Sequence, residues 1–158
     1  FDVLQVAYSI LDQRMSEYVL PEAKENKIGV VARSILLKGA LTPAVTYLHS
    51  ELDKLKKYNA RAAAIAKRMG MELPELALRF ALSNDYIDVA LIGTNNITHI
   101  QNAVTAATKE PLPIEVLNEL KELAIDEASL VDPSHWPPSS VSDSKDGQKI
   151  LPHSYRKD

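Results

Sequence analysis

Two runs decide the fold: Val3-Leu-Gln-Val-Ala-Tyr-Ser-Ile-Leu11 and Ile28-Gly-Val-Val-Ala-Arg-Ser-Ile-Leu36. Each opens on a short, nearly uninterrupted apolar stretch. Such stretches suit strands of a parallel sheet, which is covered on both faces. Strands are therefore predicted over residues 3–7 and 28–32. Ala7-Tyr-Ser-Ile-Leu11 and Ala32-Arg-Ser-Ile-Leu36 also form a partial repeat at an offset of 25 residues. A strand, a helix and a return to a parallel strand need about that length, with a chance match as the alternative. Between the two runs, Val19, Leu20 and Ala23 fall on one helical face. Pro21 lies in the first turn, where a missing N–H is harmless, so a helix is predicted over residues 16–26.

The pattern continues outward from there. Lys38-Gly39 and Thr42-Pro43 punctuate residues 37–50, which read as a loop. Leu52, Leu55, Ala62, Ile65, Ala66 and Met69 stripe a helix over residues 51–68, and Gly70 closes it. Pro74 opens another helix that ends near Ser83-Asn84. Val89-Ala-Leu-Ile92 is the third strand, followed by Gly93-Thr94-Asn95-Asn96 and a helix over residues 97–108. Pro111-Leu-Pro113 breaks the chain before an amphipathic helix over residues 114–124. Beyond Pro133, Pro, Ser, Asp and Lys dominate, with Trp136 as the one large anchor. Strands alternating with helices predict an α/β fold with a parallel sheet. Three strands alone leave edges open and one face bare. The chain also starts at Phe1, without an initiator Met and directly in a strand. Both features predict a piece of something longer.

Composition narrows the function. The 158 residues are 46% hydrophobic and 25% charged, which suits a globular domain. A net charge of −3 gives no basic face for nucleic acid. No apolar run approaches the roughly 18 residues that span a bilayer. The absence of cysteine excludes disulfides and thiol chemistry and fits a reducing, cytoplasmic setting. His49, His99, His135 and His153 are scattered without metal-ligand spacing, so no metal is expected. No G-x-S-x-G elbow is present. The charges of residues 51–57 read as a solvated helix face.

Ligands of parallel α/β folds bind at the C-terminal ends of the strands. Those ends are Tyr8-Ser9, Arg33-Ser34 and Gly93-Thr94. A glycine there lets a ligand approach the backbone, and Thr94, Asn95 and Asn96 offer donors at a helix start. The plainer reading is a glycine turn followed by an Asn cap. Gln5 is polar within an apolar strand and either bonds a neighbour or faces a ligand. Arg33 could stack on a planar ring, pair with an anion, or form an ion pair at the rim.

Several stretches together resemble the aldo-keto reductases. They are Asp2-Val-Leu-Gln-Val-Ala-Tyr-Ser-Ile-Leu-Asp12, Leu20-Pro-Glu-Ala-Lys24, the run from Ile28 to Thr42, Leu76-Ala-Leu-Arg-Phe-Ala-Leu-Ser-Asn84, and the run from Val89 to Asn102. Their order is similar to that of the family's C-terminal half, over about residues 1–125. The resemblance implies the C-terminal part of a (β/α)8 TIM barrel, about three parallel strands (the sixth to eighth) with covering helices, the N-terminal strands being absent. It implies a reductase part over residues 1–130 and a mostly irregular tail over residues 131–158, which in the family can border the substrate pocket.

It further implies a nicotinamide cofactor, NADP or NAD, and a small carbonyl or sugar substrate. Gln5 would bond the nicotinamide carboxamide, and Arg33 would lie against its ring. Ser34 and Leu36 match the loop on the pyrophosphate. Gly93, Thr94 and Asn95 match the stretch along the adenosine phosphate. His99 stands where the family has Arg or Gln near the 2′-phosphate, and Asn102 where a Glu usually meets the adenine. Leu91-Ile92-Gly93 departs from the usual Ile-Pro-Gly, and Asn102-Ala103 from the usual Glu-Asn. The family's catalytic Tyr, Lys, Asp and His belong to the barrel's other half, and no motif for them occurs here. The resemblance thus implies the cofactor half of an oxidoreductase, inactive alone. The alternatives are a non-catalytic half-barrel that self-associates or binds a partner through exposed strand edges, and a different phosphosugar-binding barrel.

Overall fold

A computed structural model describes residues 1–137. Three strands, β1 (Val3–Ala7), β2 (Gly29–Arg33) and β3 (Val89–Ala90), form one parallel sheet in that order. The helices are α1 (Val19–Glu25), α2 (Asp53–Arg68), α3 (Leu73–Leu82), α4 (Ile97–Ala107), α5 (Ile114–Lys121) and α6 (Ala128–Val131). This is part of a TIM barrel. Val3 pairs with Gly29 and Ala7 with Arg33, so the β1–β2 register is offset by 26 residues, one more than the sequence repeat. The repeat therefore marks the two strand-to-loop transitions but not the pairing.

The sheet has one covered face. Val6, Val30 and Ala32 are buried in the apolar core with Leu20, Ala23, Leu76, Ala77 and Phe80. Alternate residues face away from it, and Val3 and Val89 are 59% and 46% exposed. The third strand is shorter than its apolar run suggests. Only Val31 and Ala32 give it partners, although Leu91 N–H still donates to the Ala32 carbonyl at 2.8 Å.

Helix boundaries follow local chemistry. α1 begins later than residue 16, because Arg14–Ser16 form a separate 3-10 turn. Lys27, at φ +57°, takes the left-handed position after it, and Ile28 N–H returns to the Ala23 carbonyl at 2.8 Å. α2 buries Leu55, Ala62, Ile65 and Ala66, and Gly70 closes it at φ +67°. The stretch expected to be a loop, residues 37–50, carries two 3-10 turns, Leu37–Gly39 and Pro43–Tyr47, before a third at Ser50–Leu52. Thr42 starts the second, its side chain accepting from Ala44 N–H at 3.0 Å. Residue 130, where a boundary with the tail was expected, lies inside α6, and both Leu130 and Val131 are buried. Trp136 packs on the core and donates to the Leu130 carbonyl at 3.1 Å. Tail residues 138–158, with His153, lie outside the described part.

Candidate functional site

Parallel strands place all three C-terminal ends at one edge of the sheet. There Tyr8 N–H donates to the Arg33 carbonyl at 3.0 Å, and the chain turns into a rigid corner. Buried Ser9 accepts from Leu11 N–H at 3.3 Å and Asp12 N–H at 3.0 Å through its hydroxyl oxygen. The Asp12 carboxylate, 1% exposed, receives both arms of Arg14 at 2.8 and 2.9 Å. That fork geometry satisfies a buried carboxylate, and the same hydrogen bonding holds the guanidinium pKa above its ordinary value. Tyr8 stacks on Phe80 at 5.6 Å and receives a hydrogen bond from Asn84 at 3.1 Å. Burial raises its phenol pKa above 10.0, partly opposed by hydrogen bonds to Asn84 and Ser16. None of these corner contacts was foreseen from the sequence. An Asp and an Arg two apart carry no helical signature.

Upon this frame Gln5 lies on the uncovered face, exposed. Among the described residues its side chain has no hydrogen-bond partner. Arg33 ends β2, also exposed, and donates to the Ser34 hydroxyl at 3.1 Å. It forms no rim ion pair with a described carboxylate. Ser34 has φ +62°, Leu37 +43°, Lys38 +49° and Gly39 +95°. Three non-glycine residues in the left-handed region make an unusual loop. Leu36 is half-buried against the core.

At the third strand end Gly93 is exposed, and a Cβ there would meet nothing within 4 Å. Nothing in the described chain itself demands glycine. Thr94 accepts from Asn96 N–H at 3.1 Å and lies 3.1 Å from His99 Nδ1. Asn96 caps α4 by accepting from Thr98 N–H at 2.9 Å, so the plain Asn-cap reading describes that residue. Asn95, His99 and Asn102 are exposed. Gln5 thus stands at the middle of β1, Arg33 ends β2 with Ser34 next, Gly93, Thr94 and Asn95 follow β3, and His99 lies in the first turn of α4 with Asn102 further along it. No group of three or more His, Cys, Asp or Glu side chains among the described residues could hold a metal ion. No helix of the described part is long and apolar enough to cross a membrane.

A nicotinamide dinucleotide suits this donor set. An unpartnered carboxamide can pair with another carboxamide, a guanidinium with a ring or phosphate, and a left-handed loop and a bare glycine backbone with phosphate oxygens.

Comparison with known proteins agrees with this architecture. The sequence profile of the aldo/keto reductase family matches residues 1–125. An L-galactose dehydrogenase of Arabidopsis thaliana is 28% identical over 124 residues, 78% of this chain and 35% of that protein. A D-threo-aldose 1-dehydrogenase of a Pseudomonas species is 31% identical over 119 residues, 70% of this chain and 36% of that protein. The aldo-keto reductase AKR11C1 of Bacillus halodurans in its holo form superposes with a TM-score of 0.65 at 26% identity. That superposition covers 84% of this chain and 45% of its own. The chain therefore spans about a third of the length of these curated relatives and less than half of that structure. With most of its length matched, the chain belongs to the aldo/keto reductase family.

Proposed function

We propose that this chain is the cofactor-binding part of an aldo-keto reductase that uses NADP, or NAD, to interconvert a carbonyl and an alcohol. The observation that carries the reading is the position of Gln5. A strand amide with no hydrogen-bond partner among the described residues stands on the bare face of the sheet, diagonal to Arg33 on the next strand. When bound, the nicotinamide supplies or accepts the hydride at the substrate carbon. Gln5 orients the carboxamide and so selects which ring face meets the substrate. Arg33 covers the ring or pairs with a phosphate. Ser34 and Leu36 hold the diphosphate through the left-handed loop. Gly93, Thr94 and Asn95 lie along the adenosine phosphate, His99 donates to a 2′-phosphate, and Asn102 meets the adenine.

An aldose is the substrate class favoured by the names of the two curated relatives. The proton for the carbonyl oxygen comes from a Tyr acid outside this chain's motifs. A positioned acid contributes about 10²–10⁴ in rate, so the chain binds cofactor without turnover. A titration with NADPH and NADH, read by Trp136 and tyrosine fluorescence, tests the reading. Saturable binding supports it, and a well-folded chain that binds neither nucleotide overturns it.

Exposed strand residues favour a second reading, self-association through the open sheet. Val3 and Val89 are 59% and 46% exposed, as is Leu91 just past β3 at 44%, and unpaired edges with apolar faces invite partners. Light scattering over a dilution series tests this. A concentration-dependent mass that Val89→Asp abolishes supports it, and a monomer at all concentrations refutes it.

A further inference from the structure

We propose that Asn59 is a positioning residue for nucleotide binding: from α2 it holds the left-handed loop after β2 in the shape that receives the diphosphate. The inference rests on the cofactor reading above and adds a residue that touches no ligand. Asn59 Nδ2 donates to the Ala40 carbonyl at 2.8 Å and to the Thr42 carbonyl at 3.0 Å. Both carbonyls lie just past the left-handed residues Leu37, Lys38 and Gly39.

Such residues persist only where the surroundings over-determine them. Here the other restraints are internal to the loop: Ile35, Leu37, Ala40 and Leu41 are buried, the N–H groups of Leu37, Gly39, Ala40, Leu41 and Thr42 donate to loop carbonyls, and Thr42 Oγ1 donates to the Gly39 carbonyl at 2.9 Å. Asn59 is the one side chain outside the loop that hydrogen-bonds the backbone of residues 34–42 among the described residues. It occupies a helix position where Ala or Lys has the better intrinsic propensity. Strain at one strand end, held by a side chain from a separate element, is the arrangement of a pre-organised ligand loop.

The test compares two probes on the full chain. NADPH would span the diphosphate bridge, and adenosine 2′,5′-bisphosphate would engage only the end formed by Gly93, Thr94, Asn95, His99 and Asn102. Asn59→Ala and Asn59→Asp each remove both donated hydrogen bonds. The expected result is an NADPH affinity about 10-fold weaker, the scale of one to two neutral hydrogen bonds, with the bisphosphate affinity unchanged within about two-fold. Glycine tolerates the left-handed conformation that Lys38 holds at a cost. Lys38→Gly added to Asn59→Ala should therefore recover part of the NADPH loss, about five-fold at most. Faster amide exchange confined to residues 34–42 in the Asn59 variants supplies a ligand-free readout. Unchanged NADPH affinity in both variants overturns the proposal, as does an equal loss for both probes. A wild-type chain that binds no NADPH overturns the cofactor reading itself.

Discussion

Gln5 and Arg33 are diagonal neighbours on the uncovered face of the sheet. Gln5 pairs with Val31, Ala7 pairs with Arg33, and the two exposed side chains lie on adjacent strands two register positions apart. A planar heterocycle with a carboxamide substituent can touch both at once. Gln5→Leu should therefore weaken NADPH binding about 3- to 10-fold, the worth of one hydrogen bond. An exposed substitution should move stability by no more than about 0.5 kcal/mol. Calorimetric titration and urea unfolding check the two halves separately.

His99 tests cofactor choice. Its Nδ1 is engaged with Thr94, which leaves one ring nitrogen to face a ligand. His99→Arg replaces that single nitrogen with a permanently charged fork suited to phosphate. The NADPH-to-NADH affinity ratio should rise about 10-fold, the scale of one added charge-assisted contact. An unchanged ratio places the 2′-phosphate elsewhere.

The corner after β1 depends on its ion pair. Arg14→Met leaves the Asp12 carboxylate buried without its partner. Breaking a buried pair costs about 3–5 kcal/mol, and the lower end applies because Arg14 is 31% exposed. Urea unfolding of Arg14→Met should show a loss of about 3 kcal/mol. Asp12→Asn with Arg14→Met, which removes the unpaired charge, should lose less.

Tyr8 sets an alkaline limit. Its pKa is raised in the folded state by burial, so the fold prefers the neutral phenol. That contribution is complete below pH 10.0, the unfolded value, and is lost as pH rises through the higher folded value. Ultraviolet titration should show one of the six tyrosines ionising late, with unfolding. Tyr8→Phe should remove that late step and reduce the alkaline sensitivity of the transition.

The first two strands were legible because apolar runs of strand length are hard to place otherwise. Their mode of burial was less so. Val3 and Val31 look as buried in the sequence as Val6 and Val30, but only the latter pair meets helices. The turns of residues 37–50 were hidden, since Thr42-Pro43 signals a break without saying what replaces a helix. Resemblance and strand-end logic named the candidate site residues, which the sequence alone could place only on strands and loops. Asn59 escaped both, because a polar residue among lysines on a helix reads as solvent-facing. Only the fold brings it against the loop.

Amide shift mapping of isotope-labelled chain with NADPH tests the proposal that three strand ends make one dinucleotide surface. The predicted perturbations centre on Gln5, Arg33, Ser34, Leu36 and Gly93 to His99, including the left-handed loop. Shifts centred instead on another surface, such as the groove between Lys57, Tyr58 and Asp126, or no shifts at saturating nucleotide, would contradict it.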